Sequence, residues 1–394
     1  MNPLETVKVL DLSRAVAGPY CTLLLADMGA QVVKIEQPTT GDDTRRWGPP
    51  FQGGESSYFM SVNRNKRSLT LNLKKEEGRE IFYRLLKDCD VVVENFRPGT
   101  VKDLGISYDD LREINPKIVY CSISGFGQTG PYRDYSAYDL ILQGMGGLMT
   151  MTGEEGRPPV RIGVAICDIG AGMFAAYGIV LALLTRDKTG RGQYIDLSML
   201  DCQVSWLTYQ AGIFFATGVS PKRMGSAHPT IVPYQAFETT SGYMNVAVGN
   251  EKLWQDFCEA IEHEELADDP LFKTNKDRVR NREALISLLN SILSERSTAD
   301  WLKALHQKGV PAGPVYTFDQ IFSDDQVLHR EMVVEMDHPS AGTIKQLGIP
   351  VLLSETPGSI RLPPPLLGEH TDDILKEAGY TQEEIETLRE KEVI

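Results

Sequence analysis

The chain has 394 residues, with 40 Lys and Arg against 54 Asp and Glu, a formal net charge of −14, and 42% hydrophobic residues. That apolar fraction supplies a core for two or three domains and excludes a disordered or fibrous chain. An acidic surface repels a phosphate backbone, so nucleic acid is excluded as a general partner and any anionic ligand needs a local basic site.

Residues 7–12 read as a strand, 20–28 as a helix of Leu and Ala, and 31–35 as a second strand, a βαβ unit that calls for a parallel sheet. The opening MNPLETVKVLDLS lacks a basic stretch followed by an apolar one, so no secretory signal is expected and a cytoplasmic location follows. Residues 63–75, NRNKRSLTLNLKK, concentrate Arg64, Lys66, Arg67, Lys74 and Lys75. A solvated face is the ordinary explanation for such a run, but with Lys34, Arg45 and Arg46 nearby in sequence it predicts a basic patch able to hold a polyphosphate. Strands at 68–73, 90–94 and 117–122 alternate with helical patterns at 76–87 and 108–114, the second stopped by Asn115 and Pro116.

Gly125, Gly127 and Gly130 form a G-x-G-x-x-G after the strand at 117–122. Pro131 and the polar run YRDYSAYD follow where a helix would have to open, so the segment is read as a Gly-rich loop. A nucleotide-dependent oxidoreductase is thereby left as the alternative. Residues 169–185 are uncharged and close to the length of a membrane span, but they are rich in Gly and Ala and have no second span to accompany them; a buried helix is expected, and no membrane partner. Asp168 stands between this helix and the apolar stretch 162–167. Such a carboxylate is either a helix cap or, kept ionised by the helix dipole in a poorly hydrated place, a nucleophile; both roles are compatible.

A charged turn at 185–193 leads to a strand from 194 and a long helix over about 200–215. Beyond Gly225 the texture changes, with a strand at 243–249 and amphipathic helices through 251–308, which marks a smaller domain leaving through GVPAGPV at 309–315. LPPPLLG at 362–368 precedes a terminal helix near 371–378 that is expected to return to the first domain. The six cysteines are dispersed and the six histidines scattered, so buried reduced thiols and no metal site are expected.

The blocks VLDLSRAVAGP (9–19), GAQVVKIEQP (29–38), NRNKRSLTLNL (63–73), VVVENFRPG (91–99), GFGQTGP (125–131), GVAICDIGAGM (163–173) and PLLGEHT (365–371), in this order over essentially the whole chain, resemble the class III coenzyme A transferases. GDDTRRWGPPF (41–51), SVNRNKRS (61–68) and AHPTIVPYQAF (227–237) look most like the members that move CoA between dicarboxylates such as succinate and glutarate. The resemblance implies an α/β fold: a Rossmann-like large domain over 1–200 completed by 365–394, linkers at 201–225 and 321–364, and a smaller α+β domain over 226–320, in a homodimer of interlocked rings. It implies Asp168 as a covalent nucleophile that forms aspartyl anhydride and aspartyl-CoA thioester intermediates, with Tyr138 and Asp139 beside it. CoA contacts fall on Val16, Ala17, Gln37, Leu71, Lys74, Asn95, Phe96 and Met199, with acyl-CoA and a carboxylic acid as substrates and no permanently bound cofactor. Val16 stands where formyl-CoA transferases carry Gln, Gln37 where they carry Arg, and GSAHP (225–229) where they carry a long flap, which argues against oxalate. His228 with Arg45 or Arg46 is then expected to hold a substrate's distal carboxylate. Racemases of the same fold use a His base at the position of Tyr138, and a tyrosine serves poorly there.

Overall fold

Six parallel strands organise the computed structural model, which describes residues 1–394. They are β1 (Lys8–Asp11), β2 (Gln31–Glu36), β3 (Lys66–Thr70), β4 (Val91–Glu94), β5 (Val119–Ser124) and β6 (Tyr194–Ser198). Their order across the sheet is β3-β2-β1-β4-β5-β6, with every neighbouring pair parallel. The winding direction reverses between β1 and β4, and in open α/β sheets ligands bind at the carboxyl ends of the strands beside such a reversal. β4 and β5 are buried along their whole length; Val91–Val93 of β4 form an unbroken apolar run, while β5 also buries Ser122 and Ser124.

The helices that shape the core and the site are α1 (Ala17–Asp27), α2 (Glu76–Leu86), α3 (Asp139–Met145), α4 (Ile166–Thr189), α5 (Met199–Ser205), α6 (Thr371–Glu377) and α7 (Gln382–Glu390). On one face of the sheet, Val9, Val32, Val91, Val93 and Val119 pack with Cys21 and Leu25 of α1 and Ala171, Ala175 and Ile179 of α4. On the other, Leu10, Leu69 and Val92 pack with Phe82 and Leu86 of α2 and with Ile374, Leu375, Ile385 and Leu388 of α6 and α7. The C-terminal helices therefore complete the first core. Asn65 ties them in by accepting the Arg361 and Leu362 N–H groups at 2.6 and 3.0 Å.

By composition α4 is apolar enough to cross a membrane, with mean hydropathy 1.9 over its best window, but half of that window is buried in the protein. Gly172 lets α1 approach it closely: a Cβ there would lie 2.7 Å from the Ala17 carbonyl oxygen. A Cβ on Gly170 would lie 1.7 Å from the Trp206 ring. These small residues admit the chain's own α1 and Trp206. The opposite stripe of α4, Met173, Tyr177, Leu181 and Leu184, stays exposed. Gly190 ends the helix at φ 70°, a left-handed cap that suits glycine.

The chain divides into two units, Met1–Leu148 with Arg161–Gly218 and Gln326–Ile394, and Met149–Val160 with Val219–Asp325. The second is α+β: strands Tyr234–Thr239, Gly242–Ala247 and Ala312–Pro314 form an antiparallel sheet with Gly242–Ala247 in the middle. Phe237, Met244, Trp254, Phe257, Leu289 and Trp301 fill its core. Three sequence expectations change. The helix expected over about 200–215 is two helices, α5 and Thr208–Thr217, parted at Trp206 and Leu207. Residues 326–364, expected within a linker, belong to the larger unit and contain the hairpin Val333–His338 with Gly342–Leu347. The smaller unit also takes in residues 149–160.

Candidate active site

The loops that leave β1 and β4 meet at the reversal point of the sheet. Asn95 joins them: its Oδ1 accepts the Arg14 N–H and its Nδ2 donates to the Arg14 carbonyl, both at 2.8 Å. Ala15 is held at φ 61°, unusual for a residue with a side chain, and donates its N–H to Asp42 Oδ1 at 3.2 Å. Glu94, at the end of β4, accepts the Phe96 N–H at 2.8 Å and the Ser122 hydroxyl. Burial pushes its carboxyl up to about 7, against those hydrogen bonds.

Beneath these loops lies a chain of buried ion pairs that accounts for half of the basic residues noted in the sequence. Lys34 meets Asp42 at 2.9 Å and donates to the Ser13 carbonyl at 2.8 Å. Lys66 meets Asp11 at 3.2 Å and donates to Pro19 and Asn63, each at 2.9 Å. Arg64 pairs with Asp27 at 2.7 Å, also buried. Arg45 grips both oxygens of Glu36 at 2.7 Å and lies 3.7 Å over the Phe59 ring. Burial disfavours every one of these charges, yet Lys34 and Thr44 hold Asp42 down at about 2, and for Lys66 burial wins and lowers it to about 8. Half of the expected polyphosphate patch is therefore an internal scaffold, and Arg45 is committed to it rather than free for a substrate carboxylate. Arg46 is exposed and pairs with Asp43 at 3.1 Å.

The N-terminus of α4 is organised by Asp139, the first residue of α3. Its Oδ1 accepts the Cys167 N–H at 2.8 Å and its Oδ2 accepts Gln143 Nε2 at 2.6 Å. Gln143, fully buried, accepts the Ile162 N–H at 2.8 Å through its Oε1. Asp139 thus satisfies a free N–H at the head of α4, the role the sequence offered to Asp168. Asp168 lies in the first turn of α4, makes no side-chain cap bond, and is pushed up to about 7, first by burial and then by the Asp139 carboxylate. It is neither a cap nor firmly ionised, because burial and a like charge outweigh the helix dipole.

A cavity of ≈ 510 Å³ opens at this point, and its wall includes Val16, Asn95, Phe96, Met199, Tyr138, Asp139 and Asp168. Seven of the residues expected at the site are therefore brought together. Ala17 is buried at the start of α1, just behind Val16. Gln37, Leu71, Lys74, Arg45 and Arg46 are not part of the wall. His228 belongs to the smaller unit, where its Nδ1 accepts the Thr230 N–H at 3.2 Å and burial beside Arg282 lowers its pKa.

Sequence reasoning missed Arg14, Trp47, Tyr58, Arg97 and Arg161 in the wall. Trp47 and Tyr58 pack edge to face, with ring centroids 5.0 Å apart. The Tyr58 hydroxyl is raised by burial and by the Asp168 and Asp139 carboxylates, with Arg161 opposing, so these four groups cluster. Arg161 opens the apolar run that ends at Asp168, and a cation directly ahead of that run was a legible signal. All six cysteines are buried and free.

The family described as CoA-transferase family III matches residues 4–371. A succinyl-CoA:glutarate CoA-transferase of Mus musculus is 46% identical over 389 residues, which span 98% of this chain and 89% of that protein. A succinyl-CoA:mesaconate CoA-transferase of Haloarcula hispanica is 41% identical over 397 residues, 96% of this chain and 97% of that protein. The crystal structure of a CAIB/BAIF family protein from Brucella suis superposes with a TM-score of 0.86 at 42% identity, covering 96% of this chain and all of that one.

Proposed function

This chain belongs to CoA-transferase family III and is an enzyme that takes acyl-CoA as a substrate; from that premise we propose that it moves CoA between dicarboxylic acids, with Asp168 as the covalent nucleophile. The observation that carries the reading is a half-buried carboxyl, free of hydrogen bonds within its own chain, in the wall of the cavity at the switch point of the sheet. In its ionised form Asp168 attacks the thioester carbonyl of the donor; the C–S bond breaks, leaving an acyl-aspartyl anhydride and the CoA thiolate. The thiolate attacks the aspartyl carbonyl, the donor acid leaves with the C–O electron pair, and an aspartyl-CoA thioester remains. The acceptor carboxylate then reverses these two steps and departs as the new acyl-CoA. No proton is consumed overall.

The residues around Asp168 suit this sequence. Val16, Met199, Trp47 and Tyr58 keep water from the anhydride, and Asn95 and Phe96 present the loop on which CoA would lie. The dicarboxylate class rests on the mouse and archaeal relatives, whose names pair succinyl-CoA with glutarate or mesaconate. Two copies interlocked as rings would cover the exposed apolar stripe of α4, and buried free thiols suit the reducing cytoplasm.

Incubation with succinyl-CoA followed by hydroxylamine should modify Asp168 in peptide mass spectra, and Asp168→Asn should lower turnover by roughly 10⁴-fold or more. Turnover by an Asp168→Asn protein at near wild-type rate would end the proposal.

A further inference from the structure

We propose that Arg161 holds the distal carboxylate of the acceptor acid and thereby makes this enzyme select dicarboxylates; the inference rests on the transferase reading above. The cavity wall carries three arginines, and they differ in what already occupies them. Arg14 lies 5.3 Å over the Phe96 ring, with its backbone clamped by Asn95, and Arg97 follows Phe96 in the same loop. Both belong to the end of the cavity built from the loops after β1 and β4. Arg161 belongs to the reacting end, where Tyr58 feels it together with Asp168 and Asp139.

Its backbone is fixed there by the same carboxylate that orders α4. Ile162 N–H donates to Gln143, Gln143 donates to Asp139, and Asp139 receives the Cys167 N–H, so the residue after Arg161 and the residue before Asp168 hang from one hub. The guanidinium has no acidic partner in the chain. Its Nη1 donates to the Ile162 and Gly163 carbonyls at 3.2 and 3.3 Å, which leaves Nε and Nη2 for a ligand. Arg45, whose charge is spent on Glu36, cannot do this work.

A cation in the wall of a site that already holds two carboxyl groups also offsets the repulsion an acid substrate meets there. A monocarboxylate brings only the carboxylate that must react, and a dicarboxylate brings a second one that a planar guanidinium can pair with.

In a ping-pong transferase kcat/KM for the acceptor reports only on the CoA-charged enzyme, so the donor does not enter the comparison. For wild type, Arg161→Met and Arg161→Lys, kcat/KM is measured with glutarate and with valerate, an acid of the same chain length. The ratio of glutarate to valerate is expected to fall roughly 10- to 100-fold in Arg161→Met and to be partly restored by lysine. A ratio equal to wild type in Arg161→Met, whether both constants fall together or neither moves, overturns the assignment. Wild-type protein that is charged by acyl-CoA but accepts neither acid overturns the dicarboxylate reading and this inference with it.

Discussion

At the scale of single residues, the contrast between Asp139 and Asp168 governs the chemistry. Asp139 spends its oxygens on the Cys167 N–H and the Gln143 amide, while Asp168 receives no such bonds and is pushed up to about 7 by burial and by Asp139 itself. The attacking form is the carboxylate, so kcat/KM for acyl-CoA should rise with pH through about 7 and fall about tenfold per unit below it. Asp139→Asn removes the like charge but leaves burial, the larger cause, in place. The acid limb of the pH–rate profile is therefore expected to move downward by about one unit or less; a limb that stays fixed or moves upward would assign it to another group, Glu94 being the first to examine by Glu94→Gln. Neither carboxyl's state could be read from the sequence. Asp168 looked like a cap because Asp is a common one, and the residue that satisfies the N–H lies 28 positions away on another helix.

At the scale of elements, the junction of α1 and α4 links stability to the site. Gly172 sits against the Ala17 carbonyl, and Val16, one residue before α1, lines the cavity. Gly172→Ala would force the helices apart, with an expected cost of about 1–3 kcal/mol in urea unfolding and a lower kcat/KM as Val16 shifts. The sequence displays this layer well. Buried β4 opens on the apolar run Val91–Val93, and the amphipathic helices of the smaller unit show their inner faces. What it hides is whatever depends on distant pairing. Arg64 and Lys66 look like a surface patch until Asp27 and Asp11, from other segments of the chain, are brought against them. Residues 333–347 form a two-stranded hairpin with largely open faces, so no long apolar pattern announces it.

At the scale of the whole molecule, the exposed stripe of α4 is the surface on which the proposed dimer can be tested. Leu181, 43% exposed at its centre, gives a check of the proposed dimer: because interlocked rings cannot part without unfolding, Leu181→Glu should leave the far-ultraviolet circular dichroism unaltered but lower the thermal midpoint of the assembled protein, whereas a dimer of unchanged midpoint would move the interface elsewhere. The large unit also closes on itself through its two chain ends, because Ile374, Leu375, Ile385 and Leu388 cover Leu10, Leu69 and Phe82. Synthesis delivers those covering residues after every strand of the sheet they cover. Until α6 and α7 are made, a nascent chain has every strand of its main sheet while one face of that sheet is only partly covered, by α2 and its neighbours, so this protein should engage chaperones over that interval and gain protease resistance only once residues 371–390 are available.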